Sequence, residues 1–297
     1  MTAPATPQVQ VRAPARAGLL GRRWRQRLTH LLIHLVLLSG VVVIFIPLGW
    51  SLSTSLKEPG DIFTYPPSWI PNPVRWQNYV EVFQTIPFAR YFLNTAIITG
   101  FDIVGKVLSC SIVAFSFARL RWWGRDVVFL VMLSTLMLPH HVTLIPQFIL
   151  YKYLGWVDTF LPLIVPNFFG GPFLTFLLRQ FFMTIPLDLD DAARIDGAST
   201  FRIFWNIILP LSKPALAAVA IFVFQGTWND FLGPLIYLHS KDKFTVSLGL
   251  RMFQGEHGTD WHLLMAASLM AMLPVIVVFF AAQRYFIQGV VFTGVKG

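Results

Sequence analysis

The stretch LTHLLIHLVLLSGVVVIFIPLGWSLSTSL, from Leu28 to Leu56, contains no lysine, arginine, aspartate or glutamate. A helix needs about 20 apolar residues to cross a hydrocarbon core ~30 Å thick. The apolar part of a signal peptide runs only about 7–15 residues. The stretch therefore reads as an uncleaved first membrane span ending near Trp50. Immediately before it, Arg12, Arg16, Arg22, Arg23, Arg25 and Arg27 occur without a single acid. A basic run beside an apolar one predicts a cytoplasmic anchor against anionic lipid rather than a nucleic-acid site. Residues 1–27, rich in Ala, Pro, Gln and Arg, offer little apolar surface to bury and are expected to form a disordered tail.

The rest of the chain has the same character. Of its 297 residues, 55% are hydrophobic and 12% charged, against about 25% charged in an ordinary soluble domain. That density cannot clothe a water-soluble surface, so a soluble enzyme, a disordered chain and a collagen-like chain are all excluded. Cys110 is the only cysteine, so no disulfide within the chain and no thiolate cluster can form.

Five further apolar runs pass the same length test: Tyr91–Ala118 (apart from Asp102 and Lys106), Val127–Tyr151, Thr159–Leu178, Pro214–Leu238 (apart from Asp230) and Trp261–Gln283. Prolines within or beside them are compatible with membrane helices. The prediction is an all-α integral membrane protein with six transmembrane helices. With a cytoplasmic N-terminus, 15 Lys and Arg residues fall inside and 7 outside, Lys106 lying within a span. The positive-inside rule thus places both termini in the cytoplasm. The Pro- and Trp-bearing segment Tyr65–Pro73 cannot be helical and suits the outer interface. No inverted repeat of the secondary-transporter kind is evident.

Sequence signatures of catalysis are missing. There is no G-x-x-x-x-G-K-[ST], no G-x-G-x-x-G opening a helix, no G-x-S-x-G and no H-E-x-x-H. His140 and His141 are adjacent and cannot share a helical face, so they read as polar residues near a helix end beside Pro139. The chain is expected to bind no cofactor or metal and to catalyse nothing itself.

The most structured polar segment, residues 186–210, lies between spans four and five. Pro186 suits a first helical turn, and Asp188, Asp190 and Asp191 face its positive dipole end. Asp190 and Arg194 are spaced as an i,i+4 pair. Gly197 closes the helix at positive φ. Ser199 caps a second helix with Phe201, Phe204, Ile207 and Ile208 on one face, and Pro210 ends it. By pattern alone this helix pair could be membrane-surface packing. The small pair Ala192 and Ala193 argues instead for the close approach of another protein.

The motif D-A-A-x-x-D-G-A-x-x-x-x-x-F-x-x-I-x-L-P, from Asp191 to Pro210, resembles the EAA loop of binding-protein-dependent ABC importer permeases. Asp191 stands where that family usually has glutamate. The resemblance extends over Ala118–Arg121, Leu138-Pro139, Leu144–Pro146, Leu178–Phe182, Trp228–Leu232 and Gly294–Gly297, and is to the carbohydrate branch with its maltose-type permease subunit. It implies a second homologous permease subunit, two cytoplasmic ATP-binding subunits carrying ATP and Mg, and an extracytoplasmic binding protein that delivers a sugar, an oligosaccharide or related polyol. It makes Asp191, Ala192, Ala193, Asp196, Gly197, Ala198, Phe204, Leu209 and Pro210 the ATPase-coupling residues. Three parts follow: a basic tail 1–27, a permease domain 28–288 and a cytoplasmic tail 289–297 expected against the ATPase subunits. The expected location is the cytoplasmic membrane, amid lipid.

Charges within spans are costly and mark paired or functional sites. Asp102 and Lys106, one turn apart, read first as a mutual ion pair and second as pathway lining. Trp228, Asn229 and Asp230 combine an aromatic face, an amide and a carboxylate, the groups that bind sugars, and are candidates for the translocation path. A structural bond to a neighbouring helix is the equal alternative for Asn229. Met132, Met137, Met265, Met270 and Met272 read as packing. The alternative function is a self-contained secondary transporter or channel, for which Asp102, Lys106 and Asp230 would have to supply the ion site.

Overall fold

The structure, a computed structural model, describes residues 17–255 and 258–294, with side chains described at 24, 27–139, 141–255 and 258–283. The disorder expected of residues 1–16, the side chain of His140 and the contacts expected of the C-terminal tail lie outside the described residues, whereas residues 17–27, expected to belong to the disordered tail, are helical. Two compact units are distinguished, Met1–Ser53 and Thr54–Gly297.

In the first unit, helix α1 (Ala17–Ser55) begins in the basic tail and runs through the apolar stretch. Every residue from Arg27 to Pro47 is exposed. A helix apolar on all sides and covered on none needs lipid as its solvent.

The second unit is built around α3 (Phe88–Arg119), preceded by the short α2 (Gln77–Thr85). Asn78, fully buried, ties the entry to α2 by donating to the carbonyls of Ser55 and Lys57, both at 2.9 Å. The later helices are α4 (Arg125–Ser134), α5 (His140–Tyr153), α6 (Leu161–Ile164), α7 (Pro172–Thr184), α8 (Asp188–Ile195), α9 (Thr200–Leu211), α10 (Lys213–Trp228), α11 (Leu232–Tyr237), α12 (Val246–Leu250) and α13 (Trp261–Gly294). Two hydrophobic cores hold them. One gathers Phe115 and Cys110 of α3, Leu178 and Phe182 of α7, Phe204 and Ile208 of α9, and Val219 of α10. The other packs Val82, Tyr91, Val246, Phe253, Leu264 and Ala266.

Four helical stretches are long and apolar enough to cross a membrane, at Arg27–Ser55, Phe88–Arg119, Leu161–Thr184 and Trp261–Gln283. Two bent pairs add up to two more. The run Val127–Tyr151, expected as one span, consists of α4 and α5 meeting at 100°. Leu138 precedes a proline and is extended, with φ −80° and ψ 115°. That conformation is the one a following pyrrolidine ring enforces. The expected span Pro214–Leu238 also divides: α10 stops at Trp228, and the Asp230 carboxylate takes the Gly233 N–H at 3.2 Å to start α11. Pro210 does not end the second helix of the polar segment. The helix runs to Leu211 and bends by 78° into α10. Its backbone loosens just before the proline, the Leu209 N–H donating five residues back to Phe204 in a π-turn.

At the start of α6, Asp158 adopts φ 60° and gathers the loop after α11. The Ser240 hydroxyl, the Ser240 and His239 amides and the Lys243 ammonium all donate to its carboxylate. Those bonds hold the Asp158 carboxyl well below the usual carboxylate range.

Candidate coupling surface and translocation cavity

The polar segment forms two short helices joined by a tight turn. Helix α8 closes through a Schellman motif: the Ala198 N–H bonds to the Ala193 carbonyl at 2.9 Å, and the Gly197 N–H to Arg194 at 3.0 Å. Gly197 sits at φ 78°. The Ser199 hydroxyl accepts from the Arg202 N–H at 3.3 Å, capping α9.

The segment's inner face joins the first hydrophobic core through Ala193, Ile203, Phe204 and Ile208, with Ala198, Ile207 and Leu209 partly buried against it. Its outer face exposes Asp191, Ala192, Asp196 and Pro210, together with Ile195, Phe201 and Trp205. Ala192 and Ala193 therefore do different jobs, one facing out and one packed inward. Phe201 leaves the expected apolar face and stacks on Trp205 at 6.0 Å. Asp196 is the residue that ends α8, and its exposed carboxylate makes no hydrogen bond to the amides of the turn.

The ion pairs differ from the spacing-based expectation. Arg194 pairs with Asp191 at 3.2 Å, leaving Asp190 free to turn inward. Asp190 meets Arg119, the last residue of α3, at 3.8 Å, and both side chains are at most 3% exposed. Arg119 also donates to the Ile185 carbonyl at 2.7 Å. Nothing in the local pattern around Asp190 signals a partner 71 positions earlier. Asp190 and Arg119 fasten α8 to the long central helix.

Further along α3, a cavity of about 470 Å³ opens between α3, α7 and α10. Thr95, Asp102, Lys106, Asn167, Thr227, Asp230 and Thr245 supply its polar lining. Asp102 and Lys106 do not form the expected ion pair. The Thr227 hydroxyl donates to Asp102 Oδ2 at 2.9 Å, and Lys106 donates to the Gly170 carbonyl at 2.6 Å. Gly170, at φ 90°, turns the chain at the start of α7. Of the three residues singled out at 228–230, Asp230 lines the cavity. Trp228 is buried elsewhere, stacked on Phe224 at 5.4 Å with its N–H on the Ala271 carbonyl at 3.0 Å. Asn229 donates back to the Gln225 carbonyl at 2.8 Å, within its own helix. Thr227 and Asn167 escaped the sequence reading because neutral polar residues within apolar runs carry no signal of which way they face. Among the described residues, no group of three or more His, Cys, Asp or Glu side chains could hold a metal ion.

Residues 108–291 match the family described as "Binding-protein-dependent transport system inner membrane component". The sn-glycerol-3-phosphate transport system permease protein UgpE of Yersinia pestis bv. Antiqua (strain Antiqua) is 34% identical over 266 residues, covering 87% of this chain and 94% of that protein. The arabinooligosaccharides transport system permease protein AraQ of Bacillus subtilis (strain 168) is 36% identical over 229 residues, covering 76% and 81%. In fold, the chain is similar to a chain of a bacterial ABC transporter involved in the import of the acidic polysaccharide alginate. The TM-score is 0.79 at 22% sequence identity, covering 95% of this chain and all of that one. By the span of the family match and by relatives a third identical over most of their length, the chain belongs to the inner membrane components of binding-protein-dependent transport systems, the permease subunits of ABC importers.

Proposed function

We propose that this permease forms half of a translocation pathway for a sugar, an oligosaccharide or related polyol, delivered by an extracytoplasmic binding protein. A second homologous permease supplies the other half. Of two ATPase subunits, which carry the ATP and Mg, one docks on the helix pair α8–α9, and this chain catalyses nothing itself. The observation that carries the reading is the rigid, outward-facing α8–α9 pair, fastened by a buried ion pair to the helix that also lines the polar cavity. Such an arrangement lets a push at the cytoplasmic face reach the pathway, as a chain without a phosphate-binding loop requires. The relatives transport sn-glycerol 3-phosphate and arabinooligosaccharides by name, which supports a polyhydroxy solute. The test is co-purification of this chain with its ATPase and solute-stimulated ATP hydrolysis in the assembled complex. A complex that never forms, or hydrolysis indifferent to every solute of the binding protein, would reject it.

The topology completing this reading is six crossings of the cytoplasmic membrane with both termini in the cytoplasm, each bent pair accommodated within it. Reporter fusions after Gly297 and within Tyr65–Asn72 should report opposite sides. Finding both on one side would sink the arrangement.

Asp230 lies on the pathway in this reading. Asp230→Asn should keep the bond to the Gly233 amide yet slow uptake or change solute preference, read as initial uptake rates in vesicles. Unchanged uptake and preference would return Asp230 to a purely structural role as the acceptor of the Gly233 N–H.

A further inference from the structure

The cavity's charges carry an inference about which solutes it accepts. Its lining holds two carboxylates, Asp102 and Asp230, and one ammonium, Lys106. With both carboxylates ionised the lining is net negative, and with either one protonated it is neutral. Only with both carboxyls protonated would the ammonium leave it net positive. Lys106 also donates to the Gly170 carbonyl, 2.6 Å away, which fixes where the ammonium sits. Asp102 is 3% exposed; its Oδ2 accepts from Thr227, and the Asn167 side chain also faces the carboxylate. A carboxylate can accept several hydrogen bonds, so a solute hydroxyl entering the cavity finds acceptors at Asp102 and Asp230. The remaining ammonium protons of Lys106 and the Asn167 side chain complete a lining that both donates and accepts.

We infer that this cavity admits neutral and cationic polyhydroxy solutes and turns away anionic ones. The inference rests on the pathway reading above and narrows its solute class. It also separates this chain from what its relatives' names suggest, since sn-glycerol 3-phosphate and alginate are both anionic. Lys106 is the one cation among the described residues of this lining, and the two carboxylates outnumber it.

The charge of the cavity can be measured without knowing the solute. Gly226 lines it, and a Cβ added there meets nothing within 4 Å. Gly226→Cys would be built with the buried Cys110 replaced by alanine, in the full chain with its native partners in membranes. Ile98→Cys, also in the lining, serves as a second position should the first disturb folding. Three methanethiosulfonates would be compared: cationic trimethylammonioethyl, neutral hydroxyethyl and anionic sulfonatoethyl, each normalised to its rate with free 2-mercaptoethanol. The anionic reagent should react roughly tenfold or more slowly than the cationic one, the scale on which a charged cleft biases local ion concentration. Asp102→Asn and Asp230→Asn should each move that ratio toward one. An anionic reagent as fast as the cationic one, or a preference unmoved by both asparagine variants, overturns the inference while leaving the pathway intact. Cysteines at both positions unreactive to all three reagents overturn the pathway reading and the inference with it.

Discussion

Asp190→Ala is expected to release α8 from α3 while leaving the membrane spans inserted. Arg119 and Asp190 face each other at 3.8 Å with side chains at most 3% exposed. Removing one member of a buried pair leaves the other charge uncompensated, which costs about 3–5 kcal/mol. Because the loss falls where α8 meets the core, local opening of residues 186–200 should rise by roughly two to three orders of magnitude. Arg194 is exposed on α8 and gives trypsin a cleavage site once the segment opens. The measurement is tryptic cleavage of that segment in membranes, followed by co-purification of the ATPase. Both should change in the single variant. Replacing the pair together, as Arg119→Met with Asp190→Leu, should recover much of the protection, because no charge is then left alone. Wild-type cleavage and co-purification in Asp190→Ala would show that the pair does not hold the coupling surface.

Gly197→Val is the second large effect. A Cβ at Gly197 meets no atom within 4 Å, so crowding contributes nothing and the whole penalty lies in the backbone. At φ 78° a side chain costs about 1–2 kcal/mol, and a β-branched one is disfavoured further. The valine should undo the Schellman turn and free the angle between α8 and α9, so that ATPase docking and solute-stimulated hydrolysis both fall. Asparagine tolerates the left-handed region better than other side chains, and Gly197→Asn should lie close to wild type. Equal behaviour of valine and asparagine would mean that the turn's conformation is not what the partner reads.

The two variants separate what is local from what is not. The turn at Gly197 and the Ser199 cap were legible in the sequence because each is decided within a few residues by φ preference and one hydrogen bond. The same holds for the long uncharged runs, whose need for lipid is compositional. The Asp190 partner was not legible. Spacing offered Arg194, but Arg194 takes Asp191 instead. Helical spacing lists the neighbours a side chain can reach along its own helix; it says nothing of a cation arriving from another one. The bends were half visible: prolines at 139, 210 and 214 were plain, but whether a membrane helix absorbs a proline or turns at it depends on what packs alongside.

The cavity follows the same division. Asp102, Lys106 and Asp230 stood out because charge is rare in apolar runs, and that rarity is a property of sequence. Their partners were decided by tertiary structure. Lys106 reaches the Gly170 carbonyl rather than Asp102, and Asp102 takes the Thr227 hydroxyl. Trp228, beside Asp230 in sequence, is carried away from the cavity into packing against Phe224 and Phe92. Thus the sequence by itself determined that the chain lives in a membrane, which stretches are apolar and how its exposed turn closes, because apolar content and local backbone preference act over a few residues. Only the tertiary structure decided which charge meets which and which polar groups share the cavity, because the packing of helices brings together residues that are far apart along the chain.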